Sequence, residues 1–152
     1  MINLDKDKVL IERFWTDSIK KFNMLNPDVN VYTVGLYCCR WAGWMTINFD
    51  TNPNSENCPD FTYVAFESLD FEHWQDDYDN NETLEILLNG NIQKINLEED
   101  EDERINEVVF TYLKTIVKEP HLLTVTNILK KKEPFRVGIQ MLDSSESEFW
   151  TL

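Results

Sequence analysis

Apolar side chains recur at Ile11, Phe14, Trp15, Ile19 and Phe22, with Glu12, Asp17 and Lys20 falling between them. That spacing puts the apolar set on one stripe and predicts a helix from about Asp5 to Leu25, ended by Asn26-Pro27. The pattern then changes. VNVYTVGLYCC (Val29 to Cys39) and WMTINF (Trp44 to Phe49) are rich in β-branched and aromatic residues, which predicts two strands joined by a short segment containing Gly43. The turn formers of DTNPNSENCPD (Asp50 to Asp60) predict a loop, and a third strand restarts at Phe61 in FTYVAFE.

Within the acidic, aromatic stretch DFEHWQDDYDNN (Asp70 to Asn81), DDYDNN (Asp76 to Asn81) reads as a solvated loop, with contact to a cationic partner as the alternative. After it, Asn89-Gly90 lies between two apolar runs in TLEILLNGNIQKINL, the strongest short-range hairpin signal; a helix running through Leu88 is the alternative. A second long helix is predicted from about Glu101 to Lys118, where Ile105, Val108, Val109, Tyr112, Leu113 and Ile116 share a face. The acids before it suit the positive end of its dipole, and Pro120 stops it. The remainder reads as a short helix over TVTNILKKK (Thr124 to Lys132), a strand over FRVGIQML, and a polar tail, DSSESEFWTL, ending in an aromatic anchor. The expected fold is a single α+β domain over 1–152. It has one mainly antiparallel sheet, built from Val29 to Phe66, the Asn-Gly hairpin and the final strand, covered by two or three helices.

Composition sharpens this. At 152 residues and 42% hydrophobic, the chain is long enough for one core. Only 14 basic residues face 28 acidic ones, and the net charge of −14 repels phosphate backbones and anionic lipid surfaces while favouring a basic partner. Neither a secretory leader at MINLDKDKVLIERFW nor an apolar run of about twenty residues is present, so a soluble cytoplasmic protein is expected. Three cysteines without a spacing pattern agree with a reducing compartment.

The segment GLYCCRWAGW (Gly35 to Trp44) looks most like chemistry, yet strand alternation sends Cys38 and Cys39 to opposite faces. The spacing is wrong for zinc, and both thiols are expected to pack as small apolar groups. Trp41 and Trp44, close to the turn, either pack across the strands or anchor a partner. A calcium loop beginning at Asp77 fails, because Glu82 stands where glycine is needed and Leu88 where a bidentate Glu is needed. His73 and Cys58 have no identifiable catalytic companions, and no phosphate loop, nucleophile elbow or metalloprotease motif occurs in a chain with four glycines. His121 reads as a helix-end residue. Lys130 to Lys132, the only basic cluster, falls at a predicted helix end, where cations favour the dipole, and overall charge opposes nucleic-acid binding. No metal or other cofactor is expected.

The order of opening helix, VYTVGLYCCRWAGWMTINF, FTYVAFESLDFEHW, the Asn-Gly hairpin and INEVVFTYLKTIV resembles small cytosolic bacterial proteins, including immunity proteins encoded beside secreted or contact-delivered toxins. The resemblance implies a non-enzymatic domain binding one cognate toxin, in many cases a basic nuclease, by covering its active site or substrate groove. It carries no residue-level site. From charge and position, the expected partner-binding residues are Asp76, Asp77, Asp79, Glu98, Glu99, Asp100, Glu101, Asp102 and Glu103, with Trp41, Trp74 and Tyr78 as exposed anchors. The alternatives are a small hydrolase whose Asp, Glu and His residues converge in space, and a homodimeric adaptor.

Overall fold

Asn3 begins the first helix by accepting the Lys6 backbone N–H through its side-chain oxygen at 3.0 Å, and Asp5 and Asp7 in the first turn complement the dipole. This start follows a two-residue strand, β1 (Ile2–Asn3), and the helix, α1, runs Leu4–Leu25. The computed structural model describes residues 1–53, 61–97 and 102–152, with the main chain alone at residue 102. Along these follow β2 (Asn30–Cys39), β3 (Trp44–Asp50), β4 (Tyr63–Asp70), α2 (Glu72–Asp79), β5 (Thr83–Leu88), β6 (Asn91–Asn96), α3 (Asp102–Val117), α4 (Pro120–Val125), β7 (Lys130–Met141) and β8 (Ser147–Thr151).

The chain is an α+β domain whose strands form two sheets. The larger has the order β4-β3-β2-β7-β8, antiparallel except where β7 pairs parallel with β2. The Asn-Gly hairpin forms as expected, with Leu88 opposite Asn91, but it does not join that sheet. It builds a second one, β1-β5-β6, because Ile2 and Asn3 pair parallel with Ile86 and Leu87. The helix alternative for that segment is thereby excluded. Asp5 secures the hairpin by accepting the Asn89 and Gly90 backbone N–H groups at 2.7 and 2.9 Å.

Two C-terminal expectations are corrected. The short helix is α4, upstream of its expected position, followed by a 3₁₀ turn over Thr126–Ile128. Lys130 to Lys132 therefore open β7 instead of closing a helix, paired with Asn30 and Val31 at the start of β2. The terminal segment is β8 rather than a polar tail. Alternation sends Trp150 to the helical side, where Lys118 lies over its ring, and Phe149 to the other.

The core lies between the larger sheet and the helices. Ile11, Trp15, Ile19 and Phe22 of α1 and Ile105, Val109, Leu113 and Ile116 of α3 meet Leu36, Ile47, Phe49, Val137 and Ile139. Phe22 stacks on Phe49 with ring centroids 3.9 Å apart and takes Tyr63 and Phe66 edge-on. On the opposite face, Gly35 and Gly138 sit side by side in β2 and β7, and Phe149 lies across Gly138. A Cβ at Gly35 would come within 2.6 Å of the Phe61 ring, so missing side chains make the room that two aromatic rings fill.

A Cβ on Gly138 would run into the Phe149 ring and the Glu148 carbonyl. Gly138→Ala is therefore expected to cost about 1–3 kcal/mol of stability through overpacking. The measurement is urea unfolding, with the midpoint falling and the slope unchanged.

Candidate partner-binding surface

Phe71, Trp74 and Tyr78 are spaced i, i+3 and i+7, and they organise the acidic segment into a helix instead of the expected loop. Trp74 points inward. It is 0% exposed and stacks on Phe71 at 4.5 Å, with the planes 11° apart. Its indole N–H donates to Asp7 Oδ2 at 2.8 Å, and His73 Nε2 lies 3.1 Å from the same oxygen. Asp7, on α1, is 1% exposed. A buried carboxylate needs such donors to offset its lost hydration, so the contact ties α2 to α1 at a fixed rotation. The exposed anchor expected at Trp74 is accordingly corrected to a core residue.

With that face inward, the remaining side chains of α2 turn outward. Asp76 and Asp79 are exposed. Asp77 is half-buried and pairs with the amino group of Met1 at 2.6 Å, so part of its charge is already neutralised.

A second buried polar contact brings distant segments to the same end. Arg40, just after β2 and 6% exposed, donates from Nε to Asn106 Oδ1 of α3 at 2.7 Å. Its guanidinium also lies 5.5 Å from the centroid of the half-buried Tyr78 ring. The turn after Arg40 is held against α2 by a hydrogen bond from the Phe71 N–H to the Gly43 carbonyl. Gly43 adopts φ +68°, and a Cβ there would strike the Phe71 carbonyl, so both its conformation and its contact demand glycine. Trp41 stands at the tip of this turn, 41% exposed. Glu103 is exposed one turn before Asn106, on the same side of α3.

Arg40 thus ties the end of β2 to α2 and α3, and the exposed residues Trp41, Asp76, Asp79 and Glu103 are carried by these tied elements although they span more than sixty positions of sequence. Glu98, Glu99, Asp100 and Glu101, the side chain of Asp102, and Cys58 lie outside the described residues.

The other candidates resolve differently. Cys38 faces the helical core and Cys39 the opposite side of β2, both buried. Burial pushes the Cys38 thiol well above its ordinary pKa and raises that of Cys39, opposite to what a nucleophile requires. Trp44 packs edge-on against Tyr37 at 5.8 Å. His73 has a buried carboxylate partner, the beginning of an acid–base pair. Its remaining recorded neighbour among the described residues is the Phe71 ring. His121 stands at the start of α4, beside Glu12 and Glu119, a grouping with no local sequence signal because Glu12 lies more than a hundred positions from the other two.

Among the described residues, no helix is long and apolar enough to cross a membrane. No family model, curated protein or solved structure matches the chain.

Replacing Trp74 by Phe keeps an aromatic ring against Phe71 but removes the indole N–H and part of the buried ring volume. Chemical denaturation is expected to show a loss of about 1–3 kcal/mol, because a buried carboxylate oxygen loses a donor. Trp41→Ala is expected to stay within about 0.5 kcal/mol of wild type, as for other surface positions. An equal cost at both positions would contradict the inward and outward assignments.

Proposed function

We propose that this chain is a non-enzymatic acidic binding protein of the immunity type, which neutralises a basic protein toxin by docking its acidic end over the toxin's active site or substrate groove. The observation that carries the reading is the junction around Arg40, which ties together a turn bearing an exposed indole and two helices bearing outward-facing carboxylates. Acids at such a site attract a cationic surface from a distance and occupy the place of an anionic substrate, while Trp41 supplies a desolvated contact. The surplus of 28 acids over 14 bases strengthens the long-range attraction. The order-of-elements resemblance to immunity proteins and the burial of both described thiols support the same reading.

The His73–Asp7 pair favours a second reading, a small hydrolase. Against it, Asp7 also serves the Trp74 indole, and the pair has no hydroxyl or thiol nucleophile in hydrogen-bond reach among the described residues.

Co-purification from native cells at low salt, followed by stopped-flow association with the recovered partner, tests the proposal. The partner is expected to be basic, and its association rate is expected to fall steeply with added salt. The triple variant Asp76→Lys/Asp79→Lys/Glu103→Lys is expected to slow association about tenfold or more, the scale on which electrostatic steering operates, with stability nearly unchanged. Trp41→Ala is expected to act chiefly on dissociation. An association rate independent of salt and of these reversals would remove the proposal.

A further inference from the structure

Away from the acidic end, α1 and the beginning of α4 bring together a mixed nitrogen and oxygen donor set. Glu12 projects from α1, Glu119 is the residue capping the start of α4, and His121 lies two positions beyond it. One ligand atom from each lies within 4.8 Å of the others. His121 Nε2 is 3.8 Å from Glu12 Oε1, and Nδ1 is 3.4 Å from Glu119 Oε2. These two contacts use different ring nitrogens, of which one metal ion takes one, so the imidazole and a carboxylate must turn to bring three ligand atoms to the roughly 3.3–3.5 Å separation of tetrahedral zinc with bonds of about 2.0–2.2 Å.

A second observation shows that the space between the carboxylates accepts a cation. The Lys8 ammonium pairs with Glu119 and lies 3.7 Å from Glu12. Lys8 is a stand-in for a metal ion, and because its side chain is 40% exposed on a flexible stem, it can swing into solvent when one arrives. The backbone is well suited to hold the donors. Glu119 is extended, Pro120 fixes the first helical position, and the Trp15 indole donates to the Leu122 carbonyl at 3.1 Å, locking α4 onto α1.

We propose that Glu12, Glu119 and His121 form a site for a divalent transition metal of the zinc class, which displaces Lys8 and clamps α1 to α4. Imidazole sets the preference: carboxylates alone would take magnesium or calcium as readily, whereas a nitrogen donor favours zinc, cobalt or nickel. Three protein ligands leave a further position for water or for a side chain of a bound partner. This inference does not depend on the proposed function.

Isothermal titration of the full chain with zinc chloride, and separately with magnesium chloride, tests it. One zinc ion is expected to bind, with magnesium at least tenfold weaker. Lys8→Met is expected to tighten zinc at least tenfold by removing the competing cation, and His121→Ala to weaken it at least tenfold. His73→Ala, at the chain's other histidine, is expected to leave affinity unchanged. Zinc is also expected to raise the thermal midpoint of the wild type and not that of His121→Ala. Because His121 is exposed and the Lys8 side chain half-exposed, circular dichroism should show both variants folded. Failure of both the wild type and Lys8→Met to bind zinc, zinc binding that survives His121→Ala, or equal affinity for zinc and magnesium would each overturn the assignment.

Discussion

The carboxylate of Asp7 is buried inside the protein, and the Trp74 indole is what makes that burial tolerable. A carboxylate oxygen withdrawn from water is stabilised when hydrogen-bond donors replace its hydration, and Trp74 and His73 both converge on Oδ2, while Oδ1 is buried without a hydrogen-bond partner. The direction of the acidic helix follows from this one contact. With Trp74 turned towards α1, helical geometry leaves Asp76 and Asp79 nowhere to go but the surface. Phe71, stacked on Trp74, then brings up the Gly43 turn through its own N–H, and with that turn comes Trp41. A helix in which half the positions are acidic folds because its few apolar positions fall at helical spacing and reach an anchored polar group.

Arg40 completes the arrangement from the sheet side. Guanidinium is rarely buried without partners, and here Asn106 and Tyr78 supply them from two different helices. In the proposed function the outward-facing carboxylates of α2 and α3 meet a cationic surface on docking.

Most of the fold was legible in the chain. The stripes of α1 and α3 carry a strong 3.6-residue period, β2 and β3 are dense in β-branched and aromatic residues, and Asn89-Gly90 marks its hairpin. What escaped depended on contacts between distant residues. Two residues at Ile2 and Asn3 capture the hairpin into a separate sheet, a choice no local pattern encodes. The segment after Asp143 is polar enough to read as a tail, yet pairing with β7 and the space over Gly138 make it a strand. The acidic helix was the instructive miss: Phe71, Trp74 and Tyr78 carry its period, but charge density argued for a solvated loop. Trp41 was correctly placed near a turn, whereas the inward direction of Trp74 required knowledge of Asp7, 67 positions away.

A double-mutant cycle between Asp7 and Trp74 tests the central claim most directly. Asp7→Ala, Trp74→Phe and the double variant would be compared by urea unfolding, so that the pairwise term is separated from the loss of each group. The two changes are expected to couple, with an interaction of about 1–3 kcal/mol, in the range measured for residues sharing a buried hydrogen bond. Additivity to within about 0.3–0.5 kcal/mol, as for independent sites, would mean that the indole and the carboxylate do not hold each other and that something else orients the acidic helix.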